Sequence, residues 1–145
     1  MKGVKTMSSY EWMYKDKKII LDSEKCSIFL NDEDNPLSGI TVEEILELLH
    51  DNDLVDFSME YYDQGCEACH NNKSDKSNSY RFLEFHFYLF AKAGKYVMSS
   101  LSKAYEEKTL PRLLNEGIVD GTYIVSINVC EVCGDYTIEL EYGLF

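Results

Sequence analysis

Four of the five cysteines in this 145-residue chain fall into two C-x-x-C pairs: Cys66 and Cys69 in "GCEACHNN", and Cys130 and Cys133 in "VCEVCGDY". A thiolate pair spaced this way in a tight turn aims two sulfurs at one cation, while N–H groups of the turn support the negative charge. Two such turns supply the four soft donors of a tetrahedral structural site, the arrangement zinc prefers. Cys66, Cys69, Cys130 and Cys133 are therefore the expected ligands of a structural zinc. His70 stands next to the first pair as a substitute ligand, although its plainer reading is a polar loop histidine.

The segment "CEVCG", set between two strands, resembles the second knuckle of a zinc ribbon, in which glycine after the second cysteine relieves the turn. The likeness is local, and the chain departs from compact ribbons in the length separating its two pairs. Other chemistries compete for the same residues. Cys66 to His70 matches the C-x-x-C-H of haem attachment, but that needs an exported protein and a distal ligand, and neither is visible. A redox dithiol normally opens a helix beside a βαβ unit, where the helix N-terminus lowers the thiol pKa, and neither pair begins a convincing helix. Four unligated thiols remain the bland alternative. A catalytic zinc would keep an open position and a general base; Glu84 and His86 share one strand face and could act as that acid–base pair. A polar pair on an outer sheet face explains them more simply. Glycine-rich phosphate loops, G-x-S-x-G and H-E-x-x-H are absent, which favours binding over catalysis. Cys26, in "SEKCSIFL", lies outside both pairs and reads as a buried strand residue without chemistry.

The elements that must position the cysteines follow from periodicity. "KKIILD" (17–22) and "CSIFLN" (26–31) read as two strands around a polar turn. In "TVEEILELLHDND", Thr41 and Glu44 form a capping box, and the apolar spacing predicts a helix over 42–50. His50 suits the C-terminal end of that helix. Alternation in "DFSMEYY" and "YRFLEFHFYLF" predicts a strand pair joined by the polar segment 63–79, a connection long enough to need a function or a staple. "KYVMSSLSKAYEEK" after Gly94 places Val97, Met98, Leu101, Ala104 and Tyr105 on one helical stripe. Pro111 breaks that helix, and a further turn ends at Gly117. "TYIVSINV" and "YTIELEY" form a final hairpin in which Val129 faces Tyr136, Ile127 faces Ile138 and Val125 faces Leu140. That register closes only if the turn is 130–135. The expected fold is α+β: a mostly antiparallel sheet in a ββα-ββα-ββ order, helices on one face, zinc knuckles at hairpin tips. The two tips must share one end of the sheet. A straight helix over 93–120 would leave them about 20 Å apart at ~3.3 Å per strand residue, and the break at Pro111 lets the connection double back.

Length and composition suit one domain, 1–145, with residues 1–9 as a tail. No secretory or membrane-spanning segment is visible, so the expected compartment is the cytoplasm. The net charge of −12 is concentrated: residues 22–63 hold thirteen carboxylates against Lys25 alone. Such a field repels nucleic acid and anionic membrane, and it suits either a basic protein partner or simple solubility as a solvated face. In charge alone the segment resembles inhibitors and immunity proteins that cover a basic surface. The expected partner-binding residues are Asp32, Glu33, Asp34, Glu43, Glu44, Glu47, Asp51 and Asp53. "NDEDN" lacks the spacing of a calcium loop. The functional expectation is a zinc-stabilised acidic interaction module; the alternatives are a zinc enzyme using Glu84 and His86, or a thiol-redox protein.

Overall fold

Why these residues make the observed elements is clearest in chain order. A computed structural model describes residues 9–50, 54–75 and 78–143. The elements are β1 (Ser9–Tyr14), β2 (Lys17–Asp22), β3 (Cys26–Leu30), α1 (Val42–Leu49), β4 (Ser58–Tyr62), β5 (Tyr80–Lys92), β6 (Lys95–Ser99), α2 (Lys103–Glu106), α3 (Leu110–Asn115), β7 (Gly121–Cys130) and β8 (Tyr136–Tyr142). The architecture is α+β, as expected, but the order is βββ-α-βββ-αα-ββ rather than ββα-ββα-ββ.

Three local differences account for this. "SYEWMY" is a strand that antiparallel pairing joins to β2 through a turn at Lys15 and Asp16, both at positive φ. Ser9 therefore belongs to β1 and not to a tail, while residues 1–8 lie outside the described residues. β3 does not pair with β2; it lies parallel to β8 at the edge of a six-stranded sheet. Residues 95–99 form a strand rather than the start of a helix, because Ala93 (φ 52°) and Gly94 (φ 77°) make the two-residue turn that fits a twisted hairpin. In "KYVMS" the apolar spacing satisfies a helix as well as a strand, and the hairpin turn decides between them.

The sheet has the order β3-β8-β7-β5-β4, with β6 on the far half of β5. One face packs on α1 and the β1–β2 hairpin. Leu83, Phe87 and Leu89 from β5, Val125, Ile127 and Val129 from β7, and Ile138 and Leu140 from β8 meet Ile19, Leu21, Ile45, Leu46 and Leu49 there. Fully burying each of these side chains contributes about 1.5–3 kcal/mol. The opposite face receives α3: Phe90, one residue after Leu89 and so pointing the other way, packs with Leu113 and Val119. Helices therefore cover both faces, not one. Alternation along β5 is apolar on both sides, which requires two coverings.

Thr41 is the expected N-cap, its Oγ1 accepting from the Glu44 N–H at 3.2 Å, but the Glu44 carboxylate takes its return bond from the Thr41 hydroxyl, at 3.1 Å, where a capping box would use the Thr41 N–H. His50 caps the helix rather than ending it, and its ring bonds the Ser9 carbonyl. The β7–β8 register is also as expected, Val129 opposite Tyr136, Ile127 opposite Ile138 and Val125 opposite Leu140. Pro111 sits in the first turn of α3, where its missing N–H costs nothing, and Gly117 (φ 72°) follows that helix. No helix among the described residues is long and apolar enough to cross a membrane.

Candidate metal centre

The two C-x-x-C turns stand at the same end of the sheet. β5 leaves that end, the β5–β6 hairpin with α2 and α3 reverses the chain, and β7 returns to it, placing Cys130 opposite Phe82. The condition that the tips share an end is thus met through a hairpin reversal rather than through a broken helix. The four thiols converge: all four sulfurs lie within 4.8 Å of one another and can hold a metal ion. Cys66 Sγ is 3.6 Å from Cys133 Sγ, and Cys69 Sγ is 3.6 Å from Cys130 Sγ. A tetrahedron with arms of about 2.3 Å has edges of about 3.8 Å, so these two separations fit edges of a four-thiolate site. They are far longer than a disulfide, and each close pair takes one sulfur from each turn.

The two turns repeat one backbone design. The His70 N–H donates to the Cys66 carbonyl at 2.9 Å, and the Gly134 N–H donates to the Cys130 carbonyl at 3.0 Å. The Asn71 N–H points at Cys69 Sγ and the Asp135 N–H at Cys133 Sγ, each at 3.4 Å. Both fifth positions are left-handed, His70 at φ 56° and Gly134 at φ 82°. His70 therefore occupies the position that glycine fills in the second turn. It is exposed, it is not a member of the sulfur cluster, and its contribution is a backbone N–H.

What holds the turns differs. The second closes the β7–β8 hairpin, with the Cys130 N–H donating to the Asp135 carbonyl at 2.8 Å. Lys17 of β2 braces it from outside, its Nζ donating to the carbonyls of Glu131 and Val132 at 2.6 and 2.9 Å. Arg81 reaches Glu131 at 3.3 Å. The first turn hangs in a long connection and is anchored by Asn72, which is fully buried. Asn72 Oδ1 accepts from the Cys66 N–H, Nδ2 donates to the Arg81 carbonyl, and the Arg81 N–H donates to the Asn72 carbonyl, all at 2.9 Å. At Gly65, a Cβ would stand 2.8 Å from the Tyr80 ring, so only glycine lets the chain enter the turn here. Neither Lys17 nor Asn72 is visible as a site residue in the sequence. An Asn next to Cys-x-x-Cys-His looks like one more polar loop residue, and Lys17 is more than a hundred residues from the turn it braces.

Electrostatics at the cluster depend on the cation. Burial pushes the Cys130 thiol well above its ordinary range and raises that of Cys133. At Cys69 burial also raises the pKa, but the Asn71 N–H and the neighbouring sulfurs outweigh it and bring the thiol below its usual value. Protein groups alone thus favour a partly protonated cluster, and a bound cation is what would make all four thiolates. Cys26 stands apart, half-buried rather than buried, with its thiol directed to the Ile28 carbonyl at 3.4 Å.

The family model described as a protein of unknown function (DUF3785) matches residues 10–144. The chain belongs to the DUF3785 family. No curated protein and no solved structure matches it. In this DUF3785 chain the match therefore spans both cysteine turns and every element that positions them.

The remaining expected site residues are dispersed. Asp32 is committed to the backbone: Oδ1 accepts from the Asp34 and Asn35 N–H groups at 3.0 and 2.8 Å, and Oδ2 from the Tyr142 N–H at 3.0 Å. Those bonds lower its pKa and tie the 31–35 loop to β8. Glu33, Asp34, Glu44 and Glu47 are exposed, and Glu43 is half-buried. Asp51 and Asp53 lie outside the described residues. Glu84 and His86 do pair, Oε1 to Nε2 at 2.5 Å, and His86 Nδ1 meets Ser126 Oγ at 2.8 Å.

Proposed function

We propose that this protein is a zinc-stapled acidic interaction module, of inhibitor or immunity type, that docks a basic partner protein. The observation that carries the zinc assignment is the convergence of four sulfurs, from turns sixty residues apart, at tetrahedral spacing. Four thiolates around zinc carry a net charge of −2. Lys17 and Arg81, held against the second turn, offset part of that charge. Four protein sulfurs also fill the coordination shell, so no position remains for substrate or activated water. This favours a structural metal over a catalytic one. The chain Glu84–His86–Ser126 does not rescue an enzyme reading: β7 is paired on both sides, by β5 and by β8, so its amides are spent and offer no oxyanion hole beside Ser126.

The partner reading is supported by charge. Glu33, Asp34, Glu44 and Glu47 stay exposed in a segment whose balance is strongly negative. Association with a basic protein would be fast and salt-sensitive. Two measurements test the reading in separate parts. Metal analysis of protein purified without added metal should give one zinc per chain, and an absence of zinc would reject the staple. A partner captured from the native host and then reconstituted from pure components should lose affinity when Glu33, Asp34, Glu44 and Glu47 are changed to lysine. Unchanged binding would reject the acidic surface.

A further inference from the structure

The six-stranded sheet ends on β3, and among the described residues no strand or bridge pairs with the outer edge of that strand. Every second residue of an edge strand turns its N–H and C=O away from the sheet. Such a row is a template for another strand unless charge, proline or a bulge blunts it. β3 is poorly blunted: its five residues, Cys26–Leu30, include no charge and no proline. A register shift between Cys26 and Ile28 kinks only the entry, where the Ser27 hydroxyl turns inward to Asp135 at 2.9 Å. Beyond it Ile28, Phe29 and Leu30 are 43, 37 and 53% exposed. β4, at the other end of the sheet, has a carboxylate at its centre, Glu60. The chain leaving β3 turns inward, Asp32 tying it to the Tyr142 N–H of β8, and so away from the free edge.

Ile28 and Leu30, level with Thr137 and Glu139 of β8, share the face turned away from α1, and Phe29, level with Ile138, takes the other. Covering the edge would bury apolar surface on both faces and pair the open backbone groups. Charge selects what covers it. Glu24 before the strand, Glu33 and Asp34 after it, and Glu139 beside Leu30 are all exposed, against one base, Lys25. A second copy in antiparallel pairing would bring Glu24 of one chain towards Glu33 and Asp34 of the other, and Lys25 relieves only part of that repulsion. An extended segment with apolar residues at its centre and lysine or arginine at its ends complements both the strip and its flanks. A depression of about 210 Å³ lies beside Ile28 and Leu30, with Glu139 in its wall. It stands one strand in from the edge, at a strand spacing of about 4.8 Å, within the span of a basic side chain from an added strand. We propose that the free edge of β3 takes an extended, basic-ended segment of the partner protein as a further strand of the sheet. Main-chain bonds to β3 supply the affinity, and the apolar strip with its acidic flanks supplies the selectivity. The proposal rests on the basic-partner reading and gives that docking a place and a mode.

The probe is a capped peptide, Lys-Val-Thr-Val-Thr-Val-Lys, titrated by NMR into the full, zinc-loaded chain. It should give saturable shifts at the amides of Ser27 to Leu30, with a Kd on the order of 1 mM or tighter. The same peptide ended in glutamate should bind at least about tenfold more weakly. N-methylation of alternate peptide residues separates strand pairing from loose apolar contact. One of the two alternating sets should weaken binding at least about tenfold, and the other should leave it within about threefold. Ile28→Lys should weaken binding about tenfold, and Leu30→Lys supplies a second variant with the same expectation. Absence of saturable shifts, equal binding of the basic and acidic peptides, equal effects of the two methylation sets, or indifference to both substitutions overturns the proposal. So does a dimer of the chain that excludes the peptide and is lost in Ile28→Lys, which assigns the edge to a second copy. The underlying reading is judged separately. A reconstituted basic partner that needs Glu33, Asp34, Glu44 and Glu47, yet is neither displaced by the peptide nor weakened by Ile28→Lys, rejects the β3 site and keeps the basic partner. Peptide binding as expected, with partner binding unchanged by lysine at those four carboxylates, rejects the acidic surface and keeps the strand site.

Discussion

The two cysteine turns share a backbone design and differ in what enforces it. The second is the tip of a hairpin whose register is fixed by buried pairs on either side, so its geometry exists before any ion arrives. The first sits in a connection of seventeen residues with no strand pairing of its own through Cys66–His70, and one buried asparagine replaces the hairpin. Where the second turn has Gly134 in the left-handed region, the first has His70, which tolerates that region only at a cost. The same sulfur pair can thus be presented by a rigid hairpin or by a loop pinned at one point. The loop is the half that a bound metal would hold in place.

The largest effect should come from breaking the shared site. Cys133→Ser, or chelation with verified removal of the metal, should lower stability by on the order of 3 kcal/mol or more, because metal binding is folding free energy here. Hydrogen exchange should rise mainly over residues 63–75, while 123–129 and 136–140 stay protected. Equal exposure of both turns would erase the asymmetry. Next, Asn72→Ala leaves the Cys66 N–H and the Arg81 carbonyl without their partner inside a buried site, at a cost of about 2–3 kcal/mol. Zinc affinity should fall with it, while the β7–β8 pairing persists. A variant with unchanged zinc affinity would show that the first turn does not need its anchor.

Smaller substitutions probe the left-handed positions. His70→Gly should keep one zinc per chain and stabilise by up to about 1 kcal/mol, and Gly134→Ala should destabilise by about 1 kcal/mol. Loss of zinc in the His70 variant would instead make that side chain a ligand. The smallest effect concerns pH in metal-free protein. The folded Cys130 pKa lies above its unfolded value, so its contribution is present below about pH 8.5 and is lost as pH rises beyond that. Cys69 has the opposite sign: its folded pKa is lowered, so its contribution is present at high pH and is lost as pH falls through the folded value. Denaturation of metal-free protein from pH 7 to 10 should therefore show a decline that Cys130→Ser flattens and Cys69→Ser steepens.

How much of this was legible beforehand varies with the range of the interaction. The α1 cap, the β7–β8 register and the β4–β5 strands are local patterns in which each residue's neighbours in sequence are also its neighbours in space. The spacing of Val97, Met98 and Leu101 satisfies the helical period as well as the strand period, and the reversal at Ala93 and Gly94 outweighs it. The parallel pairing of β3 with β8 joins residues more than a hundred positions apart and leaves no periodic trace. Lys17 acts on the second turn across a similar separation, through two hydrogen bonds, whereas Asn72 acts close by in sequence, through bonds to Cys66 and Arg81 that leave no periodic trace either. Asp32, read as a partner-binding carboxylate, serves its own loop, because three backbone N–H groups lie within its reach.

The sequence by itself determined that this chain carries two paired-thiol turns, where the second one closes, and where its acidic charge is concentrated. Spacing and alternation suffice for these, since a two-residue turn and a period-two strand are properties of adjacent residues. Only the tertiary structure decided that the four sulfurs meet, that His70 serves its turn through the backbone, and that one asparagine holds the first turn in place. The first depends on the chain reversing between β5 and β7, which pairs residues far apart in sequence; the other two rest on hydrogen bonds inside the 66–81 stretch, where no periodic pattern announces the loop's conformation.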